Sequence, residues 1–471
     1  MTQRTLNKTQ FISYLDCPLH MWALTHDVEP KPPSAMDLFR RQQGQDVEKL
    51  AYTFLEEYIL PGYEQGTLLR QRTYQRDVFL ARTDALIDHP QADCFDLYEI
   101  KSSSRADKRD LYDLAFQVYV CQELPIGRAF LVHLNPEYQR RGKMDLGELF
   151  LCEDLSEAVR ELQGELESSL LAARVVLQQH EPKAIESCRK PRTCPFPGLC
   201  HPNLLEHPIY EISRLHKNKA RLLEERGIAR VEDIPADFTL SERQRAFVDT
   251  VLAGEPSIDR DAIRRSLEEL VYPLYFLDYE TCNPALPAFD GYHPNQHITF
   301  QYSLHVVEEP GGEAEHHAFL HTTFCDPAPA LLEQLSREIG AQGSVVVWNK
   351  AFEVSRNCDM AALCPQYAPF LENVNQRVFD LMDIFSKGYY IHPAFHGSAS
   401  IKYVLPVLVS ELSYEGMPIA KGDQASIAWW QMVNGESDEE ENARLQNDLL
   451  NYCQLDTRAM LEIYQQILRL F

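Results

Sequence analysis

No apolar run in this chain reaches the roughly 20 consecutive residues that a membrane span takes. The first ten residues, Met1 to Gln10, are polar and lack the apolar stretch of a secretory signal. Both absences lead to the expectation of a soluble, cytoplasmic protein with no membrane partner. Positive charge is also scarce: 45 Lys and Arg face 70 Asp and Glu, for a formal net charge of -25. That balance argues against a protein that coats nucleic acid non-specifically. It still allows a hydrolase whose acids hold metal and whose binding groove is locally basic. Twelve cysteines in a cytoplasmic chain are not a disulfide framework, so their spacing must be read for ligands.

What is present is enough for about three domains: 471 residues, 45% of them hydrophobic. The chain centres on Leu274-Tyr-Phe-Leu-Asp-Tyr-Glu-Thr281. On a strand, residues i and i+2 share a side, so Asp278 and Glu280 project together. Two carboxylates that close need a cation between them, or one takes up a proton. Hard oxygen ligands suit Mg2+ or Mn2+. Alone, the pair reads equally well as two solvated acids at a strand end. Further acids strengthen the metal reading. Gly343 to Trp348 is expected to be a strand, and Asn349-Lys-Ala-Phe-Glu353 opens a helix after it. A helix expected over Asp448 to Leu470 carries Tyr452 and Asp456, four apart and therefore on one face. Asp380 and Asp383 fit either an outer shell of that site or an ordinary helix face. Gly397 to Lys402 is a candidate phosphate contact, and Glu436 to Glu441 reads as a solvated acidic loop.

The first 204 residues carry a second set. Thr9 can cap a short helix ending before Pro18, and residues 36–59 have helical period and carry Glu48. Strands are expected over Leu68–Tyr74, Val78–Ile87 and Phe95–Lys101, then a helix over Asp110–Cys121 and a strand over Arg128–Leu134. Asp84 lies on the second strand, Glu99 and Lys101 on the third, and Gln117 on the helix. Asp84 and Glu99 can hold a divalent ion, while Lys101 can orient water or stabilise charge on a phosphate. After a long amphipathic helix over 153–180, Cys188, Cys194 and Cys200 follow at gaps of five among prolines. That pattern suits a metal or cluster site. Cys17, at the Pro18 break, makes a fourth thiolate, although by itself it reads as a small buried hydrophobe. Residues 205–268 are helical and charged; Lys217 to Pro235 reads as a helix, a Gly227 turn and a second short helix.

Four resemblances attach to these residues. Asp84 followed by Glu99-Ile-Lys101 resembles the PD-(D/E)XK nuclease core, with Glu48 and Gln117 where the RecB-like branch carries accessory residues. Cys121 stands where that branch usually has Tyr. One cysteine upstream and three downstream resemble the iron–sulfur staple of RecB-like and CRISPR-associated exonucleases. This implies a 4Fe-4S cluster on Cys17, Cys188, Cys194 and Cys200, with Zn2+ as the alternative. Lys217 to Pro235 resembles a degenerate helix-hairpin-helix, which aims backbone N–H groups at phosphate; a plain helical linker is the other reading. Asp278, Glu280, the stretch Asn349 to Glu353, and Tyr452 with Asp456 resemble the three motifs of DnaQ-like exonucleases, DEDDy subclass, of the RNase H-like fold. Glu353 stands where Asp is more usual.

Together these resemble an uncharacterised bacterial family that joins the two nuclease types. They imply an α/β multidomain chain: a nuclease domain over 1–204 with its four-cysteine site, a helical middle over 205–268, and an exonuclease domain over 269–471. The implied activity is metal-dependent hydrolysis of DNA, single-stranded or with free ends, from the 3′ end in the last domain. Mg2+ or Mn2+ would be held by Asp278, Glu280 and Asp456 in one site and by Glu48, Asp84 and Glu99 in the other. Tyr452 would orient the attacking water. The competing readings are an RNA exonuclease, and a nucleic-acid-binding or scaffold protein with one or both sites inactive.

Overall fold

A computed structural model describes residues 4–182, 185, 188–202, 204–435 and 438–471. The chain is mixed α/β and divides into two compact units: Met1–Asn203 with Pro284–Gln296, and Leu204–Asn283 with His297–Phe471.

In the first unit a five-stranded sheet runs in chain order: β1 (Leu68–Arg70), β2 (Ala85–His89), β3 (Cys94–Ile100), β4 (Ile126–Leu134) and β5 (Phe150–Asp154). Only β3 and β4 are parallel, and α3 (Lys108–Val120) makes that crossover. Helix α1 (Lys8–Asp16) is capped by Asn7, not Thr9: the Asn7 side chain accepts from Gln10 N and the Gln10 side chain from Asn7 N, each at 2.9 Å. Helix α2 (Ala35–Phe54) carries Glu48. Helix α4 (Ser156–Gln178) buries Val159, Leu162, Leu166, Leu170, Ala173 and Leu177, one stripe at helical spacing. Each large apolar side chain in that stripe contributes about 1.5–3 kcal/mol of burial.

The two strands expected over 68–87 are four. Thr73–Arg76 and Phe79–Arg82 leave the main sheet and pair with each other, and Phe79–Arg82 pairs on its other edge with Leu6–Asn7, in a small sheet of their own. A chain can change sheets only where it leaves extended geometry. Gln71, at φ 53, marks one exit. Asp84 lies at the return, between Arg82 and the start of β2, not inside a strand.

The second unit begins with helices Lys217–Glu225, Glu242–Ala253 and Arg260–Leu267. Between the first two, Gly227 (φ 73) makes the expected turn, but Val231–Asp233 is a single 3-10 turn. The sheet that follows contains β6 (Leu274–Cys282), β7 (Ile298–Val307), β8 (Ala314–Leu320), β9 (Ser344–Val347) and β10 (Val378–Asp380). Its spatial order is β8-β7-β6-β9-β10. The pairs among β6, β7 and β8 are antiparallel; β6–β9 and β9–β10 are parallel. All ten residues of β7 are buried, which requires both faces of the sheet to be covered. Among the unit's further helices are α5 (Ala328–Glu338), α6 (Lys350–Leu363), α7 (Ile401–Leu408), α8 (Gly422–Val433) and α9 (Glu439–Leu468).

Helix α9 starts nine residues before the expected Asp448. Asp438 caps it, accepting from Glu441 N at 2.9 Å, and Glu439 to Glu441 form its first turn. Acids there are favoured by the helix dipole, so this part of the expected loop is helix. Glu436 lies outside the described residues.

Gly343, at φ +93, leads into β9, and a Cβ on it would stand 2.2 Å from Pro273 O. Gly343→Ala is therefore expected to lower the stability of the second unit by about 1–3 kcal/mol. The urea midpoint of tryptophan fluorescence reports this, because Trp348, Trp429 and Trp430 all lie in this unit. An unchanged midpoint would mean that the backbone relaxes there at no cost.

Candidate metal centres

In the second unit Asp278 and Glu280 emerge from the same side of β6, as the spacing predicted. Their carboxylates and the Cys453 thiol lie within 4.8 Å of one another. Glu353 comes from the first turn of α6, and Asp456 from α9 together with Tyr452 and Cys453. All of these except Asp278 are buried, and Asp278 is partly so. The charges act on one another. Burial, then Asp456, raises the Asp278 carboxyl well above the usual range. Burial, then Asp278 and Asp456, does the same to Glu280. Glu353 is raised by burial, then by Asp278 and Glu280. Asp456 is pushed up to about 6 by burial, against the Tyr414 hydrogen bond, Lys402 and the Tyr452 hydrogen bond. The Oε2 of Glu353 is buried and has no hydrogen-bond partner. Asp278 and Glu280, with Glu353 and Asp456 near enough to act on them electrostatically and with this little neutralisation, offer hard oxygen donors of the kind a divalent cation takes.

The surroundings hold these acids in place. Asp380 ends β10, and its carboxylate accepts from Asn349 N (3.1 Å), Lys350 N (2.8 Å) and Met382 N (3.1 Å). It thereby caps α6 from outside, where Asn349 has a left-handed backbone and offers no side-chain cap. Asp380 thus fixes the helix that delivers Glu353. Asp383 instead bonds Ser386 Oγ and pairs with Lys387. The Tyr414 hydroxyl donates to Asp456 Oδ1. The Lys402 ammonium sits 5.4 Å and 5.7 Å from the ring centroids of Tyr414 and Tyr452 and donates to Ala420 O at 2.7 Å. Burial lowers its pKa.

The first unit assembles its set differently. Asp84 accepts from Ile100 N at 3.0 Å and lies against Glu99. Lys101 Nζ is 2.8 Å from Glu99 Oε1 and 2.6 Å from Asp113 Oδ2. Gln117 Nε2 donates to Glu99 Oε2 at 2.6 Å. A second ammonium, Lys8 Nζ on α1, stands 2.8 Å from Glu99, 3.7 Å from Asp113 and 3.9 Å from Asp84. Burial opposes charge on Glu99, yet Lys101 and Lys8 hold its carboxyl below the ordinary range. Asp113 is raised to about 6 by burial and then by Glu99. Glu48 accepts from Tyr52 and Gln71, and the Tyr52 hydroxyl reaches the Asp84 carbonyl at 3.2 Å. Glu48 is therefore tied to the backbone of Asp84. Cys121 is buried at the end of α3.

The cysteines gather as well. Cys17, Cys188 and Cys200 lie with His20 within 4.8 Å, and Cys188 and Cys194 with His201. His20 Nε2 is 3.3 Å from Cys194 Sγ, and His201 Nε2 is 3.3 Å from Cys188 Sγ. Burial raises the thiols of Cys17 and Cys194, the latter to about 11. A soft cation reverses that logic by binding thiolate. The donors present suit a thiophilic metal, and His20 and His201 widen the ligand set beyond the four cysteines.

Residues 275–400 match a domain of unknown function, DUF2779. The match takes in Asp278, Glu280, Glu353 and Asp380 and stops before α7 and α9. Over 207 residues the chain is 28% identical to an uncharacterized protein of Mycoplasma pneumoniae, covering 40% of this chain and 31% of that one. It is 26% identical over the same length to an uncharacterized Mycoplasma genitalium protein (40% and 31%) and 24% over 211 residues to one from Ureaplasma parvum (40% and 30%). The match spans less than a third of the length of each relative.

Sequence reading overlooked several of these neighbours. Asp113 had a usable signal, four residues before Gln117 on one helix face. Cys453 lies inside a recognised motif. Lys8 and Tyr414 had none, being 91 and 42 residues from the groups they touch.

No helix among the described residues is long and apolar enough to cross a membrane.

Raised carboxyl values mean that the metal-free second unit binds more protons folded than unfolded. This contribution to stability is full below about pH 4, the unfolded carboxylate range, and is lost as pH rises through the folded values, about 6 for Asp456. Bound Mn2+ should restore it. The expected gain in Tm on replacing EDTA with Mn2+ is larger at about pH 7.5 than at about pH 5.5. Asp278→Asn should raise the Tm in EDTA and abolish the gain. A Tm indifferent to Mn2+ at both pH values would count against a metal at these acids.

Proposed function

We propose that the chain is a metal-dependent nuclease that hydrolyses phosphodiester bonds in DNA, with a 3′-to-5′ exonuclease site in the second unit. The observation that carries this reading is the close approach of the Asp278 and Glu280 carboxylates, with Glu353 and the Tyr452-bonded Asp456 acting on them electrostatically and a buried Glu353 oxygen left without a partner. The strand order β8-β7-β6-β9-β10, with β6 central, supports an RNase H-like assignment. Tyr452 supports the DEDDy form.

When bound, Mg2+ or Mn2+ activates water and offsets charge on the leaving oxygen. Asp278, Glu280 and Asp456 are the residues that would hold it. Tyr452 positions the attacking water through its hydroxyl. Tyr414 fixes the Asp456 carboxyl. Lys402, with its charge disfavoured by burial, gains from an anionic phosphate beside it. The surrounding apolar residues keep bulk water away, which strengthens each of these interactions.

The first unit takes the PD-(D/E)XK, RecB-like assignment, with Asp84 and Glu99 as metal ligands, Lys101 facing the phosphate, and a 4Fe-4S cluster, or alternatively Zn2+, on Cys17, Cys188, Cys194 and Cys200. One observation favours a second reading here. The Lys8 ammonium already neutralises Glu99 and lies 3.9 Å from Asp84. A first unit that binds nucleic acid without cutting it accommodates this contact directly.

The test is release of nucleotides from 5′-labelled single-stranded DNA, with an RNA of the same sequence as a parallel arm. Divalent-dependent release is expected. Asp278→Asn should slow it on the order of 100-fold or more, from lost stabilisation of transition-state charge. Release that remains in Asp278→Asn should fall further with Lys101→Ala. Degradation that neither substitution slows would refute nuclease chemistry at these residues.

A further inference from the structure

Within the second unit, and outside the acid cluster, His207, Glu211 and His396 bring one ligand atom each within 4.8 Å of one another. His207 Nδ1 lies 2.9 Å from Glu211 Oε2, and His396 Nδ1 lies 2.9 Å from Glu211 Oε1. The two rings are 5.4 Å apart and inclined by 31°. One carboxylate therefore holds two imidazoles by the same ring nitrogen, although His396 is 185 residues from Glu211.

The backbone is shaped to bring these groups together. His207 and His396 both have left-handed backbone, at φ 49 and φ 51. That conformation is uncommon for a residue with a side chain. The next residue, Gly397, also left-handed, passes so close to Glu211 that a Cβ on it would stand 1.9 Å from the Glu211 carbonyl oxygen. Glu211 follows the fully buried Ile209 and closes the one-turn helix Ile209–Glu211.

We propose that His207, Glu211 and His396 form a divalent transition-metal site, selective for Zn2+ over Mg2+. Two imidazole nitrogens and a carboxylate oxygen are a borderline donor set that suits Zn2+. Mg2+ prefers an all-oxygen octahedron and gains little from imidazole. Bonds of about 2.0–2.1 Å in a tetrahedron separate ligand atoms by roughly 3.3 Å. The three ligand atoms already lie within 4.8 Å of one another; the two 2.9 Å contacts run to different oxygens of Glu211, so one of these oxygens must come to be shared by both nitrogens for the tetrahedron to close. On binding, the proton on each Nδ1 is released or moves to Nε2, and Nδ1 becomes the ligand. The fourth position falls to water on the side of His396, whose side chain is 40% exposed against 12% for His207 and 10% for Glu211. The ion would fasten the 207–211 turn to the turn that precedes α7 and Lys402.

The test uses the full chain. Carbethoxylation of His396 and His207 by diethyl pyrocarbonate is followed by peptide mass spectrometry, without metal, with Zn2+ and with Mg2+. Zn2+ is expected to slow modification at both histidines several-fold, and Mg2+ to leave it unchanged. Glu211→Gln should remove the protection and lower the zinc content by one ion per chain. Equal modification rates with and without Zn2+ in the wild type would overturn the proposal, whether or not the variant folds. Protection that persists unchanged in Glu211→Gln would also overturn it. Nuclease activity plays no part in the readout, so the two readings fail separately.

Discussion

Mutual repulsion among buried carboxylates is the constraint around which the second unit is built. Each of Asp278, Glu280 and Glu353 is pushed towards its neutral form first by burial and then by its neighbours. A fold that gathers such groups must hold them by other means. Apolar packing along β6, β7 and α9 supplies the bulk of that force. Buried polar contacts set the register. Gln301 Nε2 donates to Leu449 O at 2.8 Å, and Thr457 Oγ1 lies 2.7 Å from Ser303 Oγ and 2.8 Å from His305 Nδ1. His305 stays neutral because burial, then His316, lowers its pKa to about 4. These contacts bracket Tyr452 and Asp456 and prevent α9 from sliding along the sheet.

The first unit meets the same problem in the opposite way. Its acids are compensated from within the chain, by Lys101 on the segment after β3 and by Lys8 on α1. Burial works against both ammoniums, yet Glu99 and Asp113 keep their pKa values above the usual range. A cation arriving here competes with a tethered one. At Asp278 and Glu280 the compensating ammonium is Lys402, which also donates to Ala420 O. The two acid sets therefore differ in how far the chain's own ammonium groups compensate them.

Much of this was legible in the chain where a local period carried it. The i, i+2 pair on β6, the i, i+4 pair on α9 and the helix opening at Asn349 are short-range patterns, and the structure places them in those elements. The stripe on α4 was equally readable. What failed were boundaries decided by tertiary context. The residues around Gln71 and Asp84 have strand composition, but the chain changes sheets there. The acids Glu439 to Glu441 read as a solvated loop, and the structure makes them the first turn of α9. Lys8, Tyr414 and His396 act across long sequence distances, and no local pattern marks such partners.

The excursion Pro284–Gln296 has a topological consequence. Leaving the end of β6, it is counted with the first unit, where Ala285 N donates to Gln43 Oε1 at 3.1 Å and Arg140 donates to the Pro287 and Ala288 carbonyls. Asn295 Nδ2 reaches Ser102 O at 3.1 Å, one residue past Lys101. The polypeptide thus crosses between units three times. A single scission cannot release either module whole, and neither can be exchanged for a foreign counterpart by one recombination joint without leaving this strap behind.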